Sequence, residues 1–156
     1  MKNVLRLTIA VCVVATIALG ADNTIGTWKY NTAKSKPAAG VSRISNLTLT
    51  REATDAGVKI TVKGERADGS KIDAVTDAKY DSQPVTVQGT GTAWDTTAHK
   101  QIDANTVTEE RSKKGGKYHS TVRTVVSKDG KTMTATAKGT DADGKAFTAV
   151  VVWDKQ

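Results

Sequence analysis

His99, His119, the triplet Glu109-Glu110-Arg111 and Cys12 are the residues of this chain best equipped for chemistry, and their spacing decides how far each can go. Neither histidine stands at a metal-ligand spacing from another histidine, a cysteine or a carboxylate, so no metal site is expected. His119 alternates with Lys117, Thr121 and Arg123, the pattern of an outward face. His99 lies in TAHKQ between Thr97 and Gln101, where an ordinary exposed histidine is expected. Adjacent strand residues point to opposite faces, so Glu109 and Glu110 cannot work on one substrate. Glu109 and Arg111 share a face, and a surface ion pair worth about 0–1 kcal/mol is expected of them. Ser120, His99 and Asp95 hold the groups of a nucleophilic set, but no GxSxG context surrounds Ser120. No glycine-rich phosphate loop is present. The expectation is therefore no catalytic residue, no cofactor and no enzyme.

The elements that would position these residues read as strands. The chain has 156 residues, enough for one domain. Lys2 and Arg6 precede the uncharged, mostly apolar run LTIAVCVVATIAL, residues 7–19, which ends at Gly20 and Ala21. That is the layout of a secretory signal, with cleavage expected near Gly20/Ala21. A run of this length is too short to span a bilayer, which takes about 20 residues. The expected organisation is thus a signal peptide over 1–20, a domain over 21–156 and a secreted or periplasmic location. Cys12 leaves with the signal, so the mature chain has no disulfide and no thiolate. The formal charge of +7 falls to +5 once Lys2 and Arg6 are removed. Only Lys113 and Lys114 are adjacent basic residues, so a weak anionic surface partner is conceivable but nucleic acid is not expected.

Period-two alternation recurs along the mature chain, and no helical periodicity competes with it. In residues 58–64, Val58, Ile60 and Val62 alternate with Lys59, Thr61 and Lys63. In residues 71–80, Ile72, Ala74, Thr76, Ala78 and Tyr80 share one face. Met133, Ala135 and Ala137 share another, as do Phe147, Ala149, Val151 and Trp153. Val150 and Val152 make the last run apolar on both faces, which suggests a strand covered on both sides. Asp55-Ala56-Gly57, Asp68-Gly69, Gly115-Gly116, Asp129-Gly130 and Asp143-Gly144 supply the turns, and Pro37 and Pro84 stand at segment edges. Ile44 and the pair Leu47/Leu49 fall out of phase, which calls for a bulge between them. KGERADG at 63–69 and KGTDADG at 138–144 echo one another, as two hairpins using one turn would. Calcium is not expected there, because no terminal glutamate completes a loop. The fold expected is all-β: an antiparallel up-and-down meander of about 8–10 strands that closes into a barrel to remove its edges.

With that meander in place, GTWKYN at residues 26–31 resembles the first strand of the calycin barrels, which include lipocalins, fatty-acid-binding proteins and avidins. VVVWDKQ at 150–156 is similar to the closing strand of fatty-acid-binding proteins. The opening also resembles that of secreted bacterial lipocalin-like proteins that begin with GTWK. The resemblance implies a lipocalin-like barrel with Trp28 as the structural plug of its base. Three features depart from the family. Only NTAKSKPAAG, with Pro37, separates the first two strands, so two lid helices do not fit. Val151 and Trp153 stand where fatty-acid-binding proteins place an Arg and a Tyr for the carboxylate. Trp28, Trp94 and Trp153 do not reproduce the biotin-stacking spacing.

The expected inner faces are rich in small and weakly polar residues. They carry Thr76, Thr96, Ser120 and Thr124 besides Ala74, Ala98, Ala135 and Ala149. Such a lining fills space poorly and suits a ligand pocket. The residues expected to line it are Ile60, Ala74, Tyr80, Trp94, Tyr118, Ser120, Val122, Met133, Ala135, Phe147, Ala149 and Val151. The expected function is binding of a small hydrophobic or amphipathic ligand by a monomer, without catalysis. The alternatives are an envelope protein acting through its basic outer surface and, lower, a haem-binding or enzymatic barrel built on whichever histidine faces inward.

Overall fold

A computed structural model describes residues 21–39 and 42–156; the expected signal segment lies outside the described residues. Those residues form strands and turns with no helix. Eleven strands run in order: β1 (Gly26–Tyr30), β2 (Ile44–Thr54), β3 (Gly57–Arg66), β4 (Lys71–Lys79), β5 (Val85–Thr86), β6 (Gln88–Thr90), β7 (Thr96–Asp103), β8 (Thr106–Ser112), β9 (His119–Val126), β10 (Thr132–Thr140) and β11 (Ala146–Lys155). Their spatial order is β5-β7-β8-β9-β10-β11-β1-β2-β3-β4-β6. Every pairing is antiparallel. The meander is therefore carried around a nearly complete barrel, with β1 joining the last strand to the second.

The seam lies between β4 and β7. One short segment stitches it: Val85 and Thr86 bond to β7, then Gln88–Thr90 bond to β4. Strands this short carry no readable alternation, which is why the expected count stopped at about ten.

Burial follows the alternation closely. On β4, Ile72, Ala74, Thr76 and Ala78 are buried and the residues between them face out. On β9, Ser120, Val122, Thr124 and Val126 are buried while His119 is exposed. The register of β2 against β3 shifts between Ile44 and Asn46, where the phase change calls for a bulge. Gly69, Gly115, Gly130 and Gly144 adopt positive φ in the hairpin turns. The two echoed segments are such turns, and Asp141 accepts bonds from the amides of Asp143 and Lys145 in the second.

The phase expected on β7 is corrected. Thr97 and His99 are the buried residues, and Thr96 and Ala98 are only half-buried on the outer side. The regular strand starts at Thr96, after a bend at Asp95 whose carboxylate accepts the Lys114 amide. Counting alternation from Trp94 across that bend slips by one residue. The correction brings His99, expected to be exposed, inside the barrel.

The apolar core gathers around Trp28, at the base of the barrel, and runs up the β2–β4 wall. Trp28, Leu47, Leu49, Val58, Ile60, Ile72, Ala78, Val126, Met133 and Trp153 form one buried cluster. The segment Ala21–Ile25 straps across that base. Trp28 is fully buried and its indole N–H donates to Thr24 O at 2.9 Å. Arg51, also buried, donates to Thr24 Oγ1 at 2.9 Å and to Tyr80 Oη at 3.2 Å. Tyr80 Oη donates in turn to Asp22, and the Asn23 amide N–H donates to Ala104 O at 2.8 Å.

Candidate functional site: a polar cluster inside the barrel

Cross-strand partners share a face, so the strand register sorts the interior into layers. One layer runs His99, Glu109, Val122, Ala137, Ala149 from β7 to β11. The layer above it, away from the base, runs Thr97, Arg111, Ser120, Gly139, Phe147. The layer below runs Gln101, Val107, Thr124, Ala135, Val151. Bulky polar side chains on β7 and β8 thus share their layers with alanine and glycine on β10 and β11. Toward the base these walls are sealed by Met133 and Trp153, both buried. Above it Ala135, Ala137, Phe147, Ala149 and Val151 are only half-buried. The barrel is closed at the Trp28 end and opens at the other along β10 and β11.

The polar cluster is bonded in a definite order. Arg111 grips Glu109 with two parallel bonds, Nε to Oε1 at 2.8 Å and Nη2 to Oε2 at 2.9 Å. Thr97 Oγ1 donates to Glu109 Oε1 at 2.8 Å and lies 3.1 Å from His99 Nε2. His99 is buried, with 1% of its surface exposed, and its Nδ1 is the one enclosed side-chain polar atom without a partner among the described residues. The Glu109–Arg111 pair was expected on the surface; it forms, but inside the barrel, because β8 turns that face to the lumen.

Burial is the largest influence on each of these groups. It would raise the Glu109 carboxyl, but Arg111, His99 and the bonds from Arg111 and Thr97 together hold it well below the usual carboxylate range. For Arg111, burial is outweighed by Glu109 and the guanidinium is held above its ordinary value. For His99, burial prevails: with help from Arg51 and Arg111 it overrides the attraction of Glu109 and pushes the imidazole down. The histidine is neutral at pH 7 and the ion pair is fully charged.

Aromatic rings stand over the cluster at the open end. Trp94 stacks on Tyr118 with centroids 5.8 Å apart and planes 24° apart, and Tyr118 meets Phe147 at 5.9 Å and 30°. The Arg111 guanidinium lies 4.1 Å from the centre of the Trp94 ring. Tyr118 Oη is 3.1 Å from Ser120 Oγ. Of the residues expected to line a pocket, Trp94, Tyr118, Ser120 and Phe147 are brought together here. Val122, Ala135 and Ala149 line the middle of the lumen, and Val151 packs against the apolar cluster below. Ile60 and Met133 belong to the sealed base. Ala74 lies on the β4 wall beside Val62. Tyr80 stands apart at the base with Asp22 and Arg51. The residues missed by sequence reasoning are Thr97, His99, Glu109 and Arg111. The spacing of Glu109 and Arg111 placed them on one face, but nothing in β8 alone said which face was inner.

A half-open recess of about 340 Å³ lies at the base among Asp22, Ile25, Ala53, Thr54, Gly57, Tyr80 and Gln101. Among its polar side chains, Tyr80 bonds to Asp22, and Gln101 bonds to Ala21 O at 3.1 Å. A smaller one of about 110 Å³ lies on the outer face by Pro84, Glu110 and His119. The polar group still in need of a partner is in the lumen, not in either recess.

Comparison with family models finds no match, and neither does comparison with curated proteins. Among solved structures the chain is similar to EF1p2_mFAP2b bound to DFHBI, with a TM-score of 0.51 and 11% identity over 86% of this chain and 94% of that one. At this identity the likeness is one of fold. The class that fold and comparison define is an all-β, nearly closed antiparallel barrel.

Proposed function

We propose that this protein binds a small apolar or amphipathic molecule in the open half of its barrel, without transforming it. The observation that carries the reading is the interior layering: polar and aromatic side chains on β7–β9 share layers with Ala137, Gly139 and Ala149, which present little or no side chain to the lumen and are only half-buried. The similar solved barrel, described as bound to DFHBI, supports binding as a use of this architecture. The apolar run at residues 7–19 supports export, and we place the working protein outside the cytoplasm. A non-catalytic role is supported by the direction of the protons in the cluster. Thr97 gives its hydroxyl proton to Glu109, not to His99, and a carboxylate held so far down is a feeble base. The outer face of β3 and β4 mixes its charges, pairing Lys63 with Asp73 and Lys71 with Glu65, which favours the lumen over the surface as the working part.

Native mass spectrometry of the protein purified gently from its own host, before and after organic-solvent stripping, tests this reading. A co-purifying molecule at near one-to-one stoichiometry is expected. An empty protein that also ignores a panel of fatty acids, retinoids and haem overturns it.

A further inference from the structure

We propose that His99 Nδ1 is the polar anchor of the lumen, accepting a hydrogen bond from the O–H or N–H of a planar aromatic ligand whose rings lie toward Trp94, Tyr118 and Phe147. This rests on the small-molecule reading above and adds the class of ligand.

The tautomer follows from the bonds. Glu109, gripped by Arg111, can only accept. Thr97 has one hydroxyl proton, and it lies along the 2.8 Å bond to Glu109 Oε1. The 3.1 Å contact between Thr97 Oγ1 and His99 Nε2 must then be donated by the histidine. With the proton on Nε2 and the ring neutral, Nδ1 presents a bare lone pair. The charged groups that face the ring are Glu109 and Arg111 from β8 and Arg51 from β2; burial, helped by the two cations, outweighs the carboxylate and keeps the ring from taking a second proton.

Among the described residues, none donates a hydrogen bond to that lone pair. In the layer of His99, Val122, Ala137 and Ala149 carry no donor on their side chains. Arg51 directs Nε to Thr24 and Nη2 to Tyr80, and Gln101 donates to Ala21 O. A buried acceptor left bare costs stability that an arriving donor restores. The same geometry disfavours a carboxylate: Glu109 already neutralises Arg111, and a neutral imidazole acceptor offers an anion nothing. The ring stack at the mouth favours a flat body. Each layer spans about 7 Å along a strand, so a two-ring molecule of roughly 10 Å reaches from His99 toward Trp94 and Tyr118.

The probes are 4-phenylphenol and its methyl ether, 4-methoxybiphenyl, which differ in the single donor. Calorimetric titration of the protein is expected to give about tenfold tighter binding of the phenol. His99→Gln keeps an amide donor for Thr97 but moves the acceptor away from the Nδ1 position, and is expected to bind both probes equally. His99→Asn, which offers an oxygen near the Nδ1 position, is expected to keep part of the preference. In the unsubstituted protein, the ¹⁵N resonance of His99 Nδ1 is expected at the position of an unprotonated ring nitrogen and to move on adding the phenol but not the ether. That readout stands even where the variants do not fold. Equal binding of both probes, or a preference that survives His99→Gln unchanged, overturns the anchor and leaves the carrier reading standing. Failure of both probes to bind while another molecule co-purifies also overturns the anchor alone. Failure of both with a protein that purifies empty removes the carrier reading as well.

Discussion

At the scale of single residues, the interior cluster trades stability for a defined set of donors and acceptors. Glu109 and Arg111 are charged side chains with little exposure, 12% and 22%. Removing one partner strands the other, so Glu109→Gln is expected to cost about 3 kcal/mol in urea unfolding at pH 7, while an exposed carboxylate such as Asp55→Asn costs little. The same cluster gives stability a pH dependence whose sign can be worked out. His99 titrates near 6.5 when unfolded and lower when folded. Between those two values the unfolded chain binds the extra proton, so stability is full above about pH 6.5 and falls as the pH drops through that window. Glu109 is also held down in the fold, and its contribution is lost at more acid pH, below its ordinary carboxylate range. Stability measured from pH 8 to pH 5 is therefore expected to decline in the protein, and to decline less in His99→Gln.

At the scale of elements, the base and its first strand show why the Gly-x-Trp opening has the form it does. Gly26 sits at φ 134°, a conformation other residues adopt only with strain. Its bare Cα also leaves room for Lys155, whose ammonium lies 4.9 Å from the centre of the Trp28 ring and donates to Ile25 O at 3.2 Å. Gly26→Ala is expected to cost about 1–3 kcal/mol, read as a lower midpoint in thermal unfolding. Much at this scale was legible in the sequence. Alternation on β3, β4, β10 and β11 gave the inner faces, aspartate-glycine pairs gave the hairpins, and the phase change after Ile44 gave the bulge. What failed to be legible failed for local reasons. Residues 81–95 pair with two different strands over two and three residues, too few for a period to show. The bend at Asp95 shifts the phase of β7 by one residue, and a one-residue slip moves every side chain to the other face. That slip hid His99, and with it the inward direction of Glu109 and Arg111, since β8 is rich in polar residues on both faces and cannot declare its own orientation.

At the scale of the whole molecule, the question is whether the open half of the barrel is empty or loosely filled, and packing energetics separates the two. Ala149 sits midway along the lumen, in the layer of Val122, Ala137, Glu109 and His99, and is half-buried. A phenylalanine there has two possible fates. In a filled interior it overpacks, and such insertions cost about 1–3 kcal/mol. In an open lumen it occupies the volume a ligand would take, covers apolar wall and leaves the fold as stable as before or more so. The layering favours the second outcome, because Ala137 beside it presents only a methyl and Gly139 above it no side chain to collide with. Ala149→Phe is therefore expected to leave the thermal midpoint unchanged or raised and to weaken binding of the co-purifying molecule at least tenfold. The matched substitution at the base, Val58→Phe, enters a fully buried position in the apolar cluster and is expected to lower the midpoint instead. If both substitutions destabilise alike, the barrel is packed from end to end and its interior holds no ligand. If only Val58→Phe does, the chain has divided one barrel into two halves, a core that Trp28 seals and a lumen that β10 and β11 leave open.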